Sequence, residues 1–236
     1  MTFALPIRGG DPRLDAVHGL PHRVTSLYDR IILGTEGLID YWPLDEFTGP
    51  YYDLVGGQHL TLTSGASAPA ASLVPSDPYG RSWVGSTISG LLQTAANYVF
   101  PPVMSLECWT NPGVTSNNNG LVGAWNGPGA MLTTQASHVL SFFTGSTGLG
   151  AAIVDSIGSH IVGTYDGANR CLYVNGALVA GPTIGAAPNG ASGFPFQVSG
   201  YGGNQFWWTG PIGKVAVYSR DLTSIEAYQH YHAGQF

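Results

Sequence analysis

Charge is scarce in this sequence. Asp, Glu, Lys and Arg make up 9% of the 236 residues and Lys214 is the sole lysine, where an ordinary globular chain carries roughly 25%. The basic residues Arg8, Arg13, Arg23, Arg30, Arg81, Arg170, Lys214 and Arg220 are scattered. No basic stripe exists to release counterions from a phosphate backbone, so nucleic acid is not an expected partner. No apolar run approaches the length of a membrane span, and none is expected. The start, Met1 to Arg8, lacks a basic stretch followed by a long apolar one and does not read as a signal peptide. Such a start suits a protein released by lysis within a virus particle, or one resident in the cytosol.

Cysteine is nearly absent as well. Cys108 and Cys171 are the only two, without Cys-x-x-Cys spacing or an adjacent base. They read as buried free thiols, with a disulfide between them left open. Glutamate is limited to Glu36, Glu46, Glu107 and Glu226. Hydrolysis of a glycosidic bond needs two carboxylates facing each other across a sugar ring. Glu107 has no acidic neighbour along its strand, Asp45 and Glu46 point to opposite faces of an extended segment, and Glu226 belongs to a helix cap. His-Glu-x-x-His, Gly-x-Ser-x-Gly and phosphate-loop patterns are missing. On this reading the chain is not an enzyme.

Glycine and proline are abundant, at 34 and 16 residues, and aromatics reach 11%. That composition suits many short strands joined by tight turns. Residues 1–34 are irregular, with Pro6, Gly9-Gly10, Pro12 and Pro21. We read 1–37 as an N-terminal arm for attachment or an oligomer contact, and 38–236 as the folded domain. Residues 64–87 read as a long loop. The clearest signal is a meander: a strand over His160–Tyr165, an Asp-Gly loop, a strand over Arg170–Val174, then Asn175-Gly176, which favours a two-residue hairpin because both positions need positive φ. Ile212–Tyr218 is a further strand. It places Gly213, Val215 and Val217 on one face and Ile212, Lys214, Ala216 and Tyr218 on the other. Thr223 with Glu226 forms a capping box for a closing helix that carries Ile225, Tyr228 and His232 on one stripe. Gly234 is placed to end that helix in a left-handed conformation.

Large rings are the main candidates for a binding role. Trp207 and Trp208 are adjacent in Phe206–Thr209 and face opposite ways in an extended segment. One serves the core and the other meets solvent or a partner. With Trp83 and Trp125 they form the candidate ligand-binding set, while Trp42 and Trp109 read as core.

Three segments in order, Tyr41–Glu46 with Gly49 and Asp53, then Gly158–Gly167 with Arg170–Gly176, then Gly210–Leu222 with the Tyr/His helix after it, resemble the laminin-G-like, concanavalin-like and pentraxin-like domains. The resemblance covers about residues 38–236, and it is nearest to copies on bacteriophage tails and capsid surfaces. It implies an all-β, two-sheet antiparallel jelly-roll sandwich with a short C-terminal helix behind an irregular arm. It also implies a non-catalytic display or decoration protein on a virion surface. Its partners would be other virion proteins or a second copy through the arm, with host glycans on the exposed face. A stand-alone, extracellular carbohydrate-binding or calcium-dependent adhesion module is the alternative, and a glycoside hydrolase a distant one. No cofactor is required, but calcium is allowed, with Glu46 and Asp53 as its implied ligands, carbonyls near Thr48-Gly49 beside them, and Asp155 and Asp166 as further candidates. Gly213-Lys214 departs from the family, which often has an acidic pair there.

Overall fold

The computed structural model describes residues 26–236, apart from 65–67, 85–89, 112–117, 126–128, 136–137, 153–157, 189–190 and 202–205. Most of the proposed arm, and Asp155, lie outside the described residues. Two antiparallel sheets face each other. One runs β13 (Ala177–Ile184), β12 (Asn169–Val174), β11 (Ser159–Tyr165), β6 (Met104–Thr110), β15 (Pro211–Tyr218), β4 (Arg81–Val84) and β3 (Ala68–Ala71), with β1 (Leu38–Trp42) also paired to β15. The other runs β10 (Thr147–Ala152), β9 (Val139–Thr144), β8 (Ala130–Gln135), β7 (Asn119–Ala124), β14 (Ala191–Val198), β5 (Leu91–Val99) and β2 (Leu60–Ser64). The all-β jelly-roll sandwich expected from the sequence is therefore present. Strand alternation buries one face of each sheet against the other. Leu106, Cys108, Ile161, Val215 and Val217 meet Leu92, Val122, Leu132, Phe142 and Phe196 in a single core.

The meander forms as read, and Asn175 and Gly176 hold φ of 52° and 75°, the pair of positive values that a type I′ turn needs. Three local readings differ. The expected loop 64–87 contains β3 and β4, which pair with each other; each is only four residues long, and β3 is Ala-Pro-Ala-Ala, so little hydrophobic pattern is left to read. Ile212 joins the inner core with Val215 and Val217. A bulge between Gly213 and Ala216, with Lys214 at φ 54°, shifts the alternation by one position. Gly234 lies inside the last helix, where a Cβ would strike the Trp109 ring. Close packing, not a left-handed cap, explains this glycine. The thiols are free, and geometry explains why. β6 and β12 flank β11 on opposite sides, and Cys108 is level with Ile161 whereas Cys171 is level with Thr164, so the two lie two strand spacings across and three residues along, roughly 14 Å apart and beyond disulfide reach.

Two helices cover the outer face of the eight-stranded sheet. Helix α1 (Leu27–Gly34) begins inside the segment read as an arm. Ser26 caps it by accepting from Asp29 N, and Tyr28 and Ile32 are buried. Helix α2 (Ser224–Gln235) carries the expected capping box. Its buried side is Ala227, His230, Ala233 and Gly234, so Ile225 and Tyr228 face solvent. Tyr41, Trp109, Val162, Ala216 and Tyr218 complete this second core. At its centre is Glu107, fully buried. Its carboxylate accepts from Tyr28 Oη at 2.6 Å and Tyr218 Oη at 2.8 Å, and pairs with His160 Nε2 at 2.6 Å and His230 Nδ1 at 3.0 Å. One anion thus ties both helices to the sheet. Across the far edge, the Arg170 guanidinium donates to the carbonyls of Thr147 on β10 and Ile184 on β13, joining the two sheets.

Candidate functional site

Both described helices lie on the eight-stranded sheet; on the outer face of the seven-stranded sheet Met131, Thr133, Ser141 and Gln197 are nonetheless buried, while Phe143 and Gln93 are half-buried. Cross-strand register defines a row there. Gly148 is opposite Phe143, Phe143 opposite Met131, Met131 opposite Gly123, Gly123 opposite Gln197, Gln197 opposite Gln93 and Gln93 opposite Thr61. The flanking row, Phe142, Leu132, Val122, Val198 and Leu92, points into the core. By alternation the first row points out. One of its glycines leaves room for a ring, and another holds a backbone conformation closed to side chains. A Cβ on Gly148 would lie 2.7 Å from the Phe143 ring, and Gly123 has φ 141°.

Aromatic rings lie along this face. Trp125 follows β7 directly. Its ring packs 5.7 Å from Phe143 and 5.6 Å from Tyr201, and its Nε1 donates to Gly145 O at 3.0 Å. Tyr201 in turn stacks flat on Phe206, 4.5 Å apart and 8° from parallel. Phe206 adopts φ 54° and is 42% exposed, whereas Tyr201 is 7% exposed. One face of Phe206 is therefore fixed by Tyr201 while the ring still meets solvent. Beside the rings, Gln197 Nε2 donates to Gln93 Oε1 at 3.3 Å, while Gln197 Oε1 is buried without a hydrogen-bond partner. Thr133 and Ser141 lie on the same face but are buried, and the Thr133 hydroxyl donates to Asn119 O at 2.6 Å. Flat apolar rings next to amide and hydroxyl groups suit a ligand with apolar faces and a polar rim.

The tryptophans singled out in the sequence divide. Trp83 and Trp208 are each 1% exposed and belong to the core. Trp207 is half-buried, with Nε1 lacking a partner. Trp125 alone of the four belongs to the aromatic row. Phe143, Tyr201 and Phe206 escaped the sequence reading, because strand register, not sequence proximity, brings them together.

Glu46 borders a cleft of about 360 Å³ between residues 45–50, Tyr52 and Arg81. Its Oε1 accepts from Tyr52 N at 2.8 Å, and burial raises its pKa. Asp53 holds a turn: its carboxylate accepts from the amides of Tyr41, Val55, Gly56 and Gln58. Burial and the adjoining Asp53 push Asp40 up to about 7. Asp166 accepts from Ala168 N and Asn169 N within its own turn. A different trio offers the donor set that calcium requires. Asp29, Asp45 and Asp77 bring carboxylate oxygens within 4.8 Å of one another and are capable of chelating a divalent cation. Lys214 Nζ already stands among them, at 3.1, 2.9 and 2.8 Å. A metal ion entering this cluster would displace the ammonium.

Residues 89–227 match the family described as the concanavalin A-like lectin/glucanases superfamily. No curated protein sequence matches the chain. Among solved structures, Trypanosoma rangeli sialidase bound to the inhibitor DANA aligns at 14% identity and TM-score 0.59, over 84% of this chain and 33% of the sialidase. This chain thus spans about a third of the sialidase. Domain 4 of AbnA, a GH43 extracellular arabinanase from Geobacillus stearothermophilus, in complex with arabinotriose, aligns at 18% identity and TM-score 0.62, over 82% and 98% of the two chains. The binding domain of Paraclostridial Mosquitocidal Protein 1 aligns at 13% and 0.64, over 87% and 52%. The sequence reading excluded an enzyme. That exclusion is corrected, since similar structures include a sialidase captured as a covalent intermediate. No helix among the described residues is long and apolar enough to cross a membrane. With its two facing sheets and a family match over more than half its length, the chain belongs to the concanavalin A-like lectin/glucanases superfamily.

Proposed function

We propose that this chain is a carbohydrate-binding module, and that the sugar lies on the outer face of the seven-stranded sheet against Phe206 and Trp125. The exposed Phe206 ring, held flat on Tyr201, carries this reading. Sugar rings present C–H faces to aromatics and hydroxyls to amides, and a ring already fixed by a neighbour loses little entropy on binding. The arabinotriose complex of the AbnA domain supports the choice. Of the two roles drawn from the sequence, the module that was placed second therefore goes first. Display on a virus particle, with 1–37 as the attachment arm, is the finer proposal behind it.

The test is a glycan-array screen of the whole chain, followed by titration of the best binder. Phe206→Ala and Trp125→Phe should each weaken binding about threefold to tenfold, with the Phe206→Ala melting temperature close to the parent's. Unchanged affinity in both variants would place the sugar elsewhere.

A further inference from the structure

The charges of this chain are divided between its two sheets. All seven strands of the seven-stranded sheet lack Asp, Glu, Lys, Arg and His. Asp40, Arg81, Glu107, Arg170 and Lys214, together with His160, all lie on strands of the eight-stranded sheet. The same holds along the sequence. No charged residue occurs between Glu107 and Asp155, or between Arg170 and Lys214. Those two stretches supply β7 to β10 and β14, along with Trp125, Tyr201 and Phe206.

Recognition of an anionic sugar calls for a guanidinium or ammonium, because a carboxylate or sulfate moved out of water without a counter-charge is strongly disfavoured. This face has none. It has amides and hydroxyls, which can both donate to and accept from sugar hydroxyls. Gln197, 1% exposed, points outward by its register with an Oε1 that no group of the protein satisfies. An acceptor left in this way suits a hydroxyl donor and repels a carboxylate.

We infer that the glycan bound at this face is uncharged, a neutral oligosaccharide and not a sialylated, sulfated or uronate-bearing one. This rests on the carbohydrate-binding reading above. It follows that affinity is nearly independent of ionic strength, since there are no charge pairs to screen.

The experiment measures binding of the whole chain to two panels by calorimetry, at salt concentrations of about 50 mM and about 500 mM. One panel holds neutral arabino-, xylo-, gluco- and galacto-oligosaccharides. The other holds sialyl-lactose, oligogalacturonate and a sulfated disaccharide. Binding confined to neutral sugars, with Kd changing less than about twofold between the two salts, is the expected result. Preference for the anionic panel, with Kd rising about tenfold or more at high salt, overturns the inference and leaves glycan binding standing. Binding of neither panel overturns the carbohydrate-binding reading, and this inference with it.

Discussion

Glu107 shows how far a residue's meaning depends on what surrounds it. In the sequence it is an isolated acid on a strand. In the structure it is an anion with four side-chain partners, drawn from α1, β11, β15 and α2. Burial alone would raise its pKa, yet His230 and His160 hold it well below the usual carboxylate range. The two histidines shift in opposite directions. Burial lowers His160 more than Glu107 raises it, while for His230 Glu107 outweighs burial and the pKa rises. The signs follow from linkage. The stabilisation from His230 is complete below the unfolded value near 6.5 and is lost as pH rises through its raised folded pKa. That from His160 is complete above 6.5 and is lost as pH falls through its lowered one. Thermal melts across pH should therefore respond differently to the two variants. His230→Gln should flatten the alkaline side of the profile and His160→Gln the acid side; identical profiles would refute the assignment. Lys214 is the reciprocal case, a buried cation among three carboxylates that raise its pKa against the effect of burial. Lys214→Ala leaves those carboxylates unneutralised and should cost about 3–5 kcal/mol. Millimolar calcium should restore part of this in melts with and without chelator, because the donor set remains.

Secondary elements were legible wherever their causes are local. The Asn175-Gly176 turn and the Thr223/Glu226 box each depend on a few adjacent residues, and both formed as read. Thr223→Ala should lower stability by about 1 kcal/mol, and Gly234→Ala by about 1–3 kcal/mol through overpacking against Trp109; chemical denaturation measures both. The candidate site was far less legible. Its row runs from β10 through β9, β8 and β7 to β14 and β5, and the step from β7 to β14 joins residues more than seventy positions apart. Trp125 could be noticed as a large ring, but Phe206, Gln93 and Gln197 become a site only once that pairing exists. The Lys214 cage has the same origin. Asp29, Asp45, Asp77 and Lys214 come from four separate parts of the chain, and no sequence spacing announces them.

At the scale of the whole molecule, the described residues form three layers: two helices, the eight-stranded sheet and the seven-stranded sheet. The first two share the Glu107 cluster, and the last two share the main core. Because α1 and α2 meet the sheet at one carboxylate, their stabilities should be coupled. In Glu107→Gln, amide-exchange protection of residues 27–34 and 224–235 should fall together, with that of β7, β8 and β9 kept. Loss in one helix alone would show that the cluster does not couple them.

The separation of charged from uncharged sheets bears on how the molecule would sit on a surface. Its net charge of −6 leaves the strands of one side untouched, so attraction to a cationic bead or sensor chip draws the helix-bearing side down. The proposed sugar-binding face then looks away from the support. A protein adsorbed in this manner should keep the proposed sugar-binding capacity without any engineered tag, whereas amine coupling finds as its only lysine in this sequence Lys214, buried in its cage.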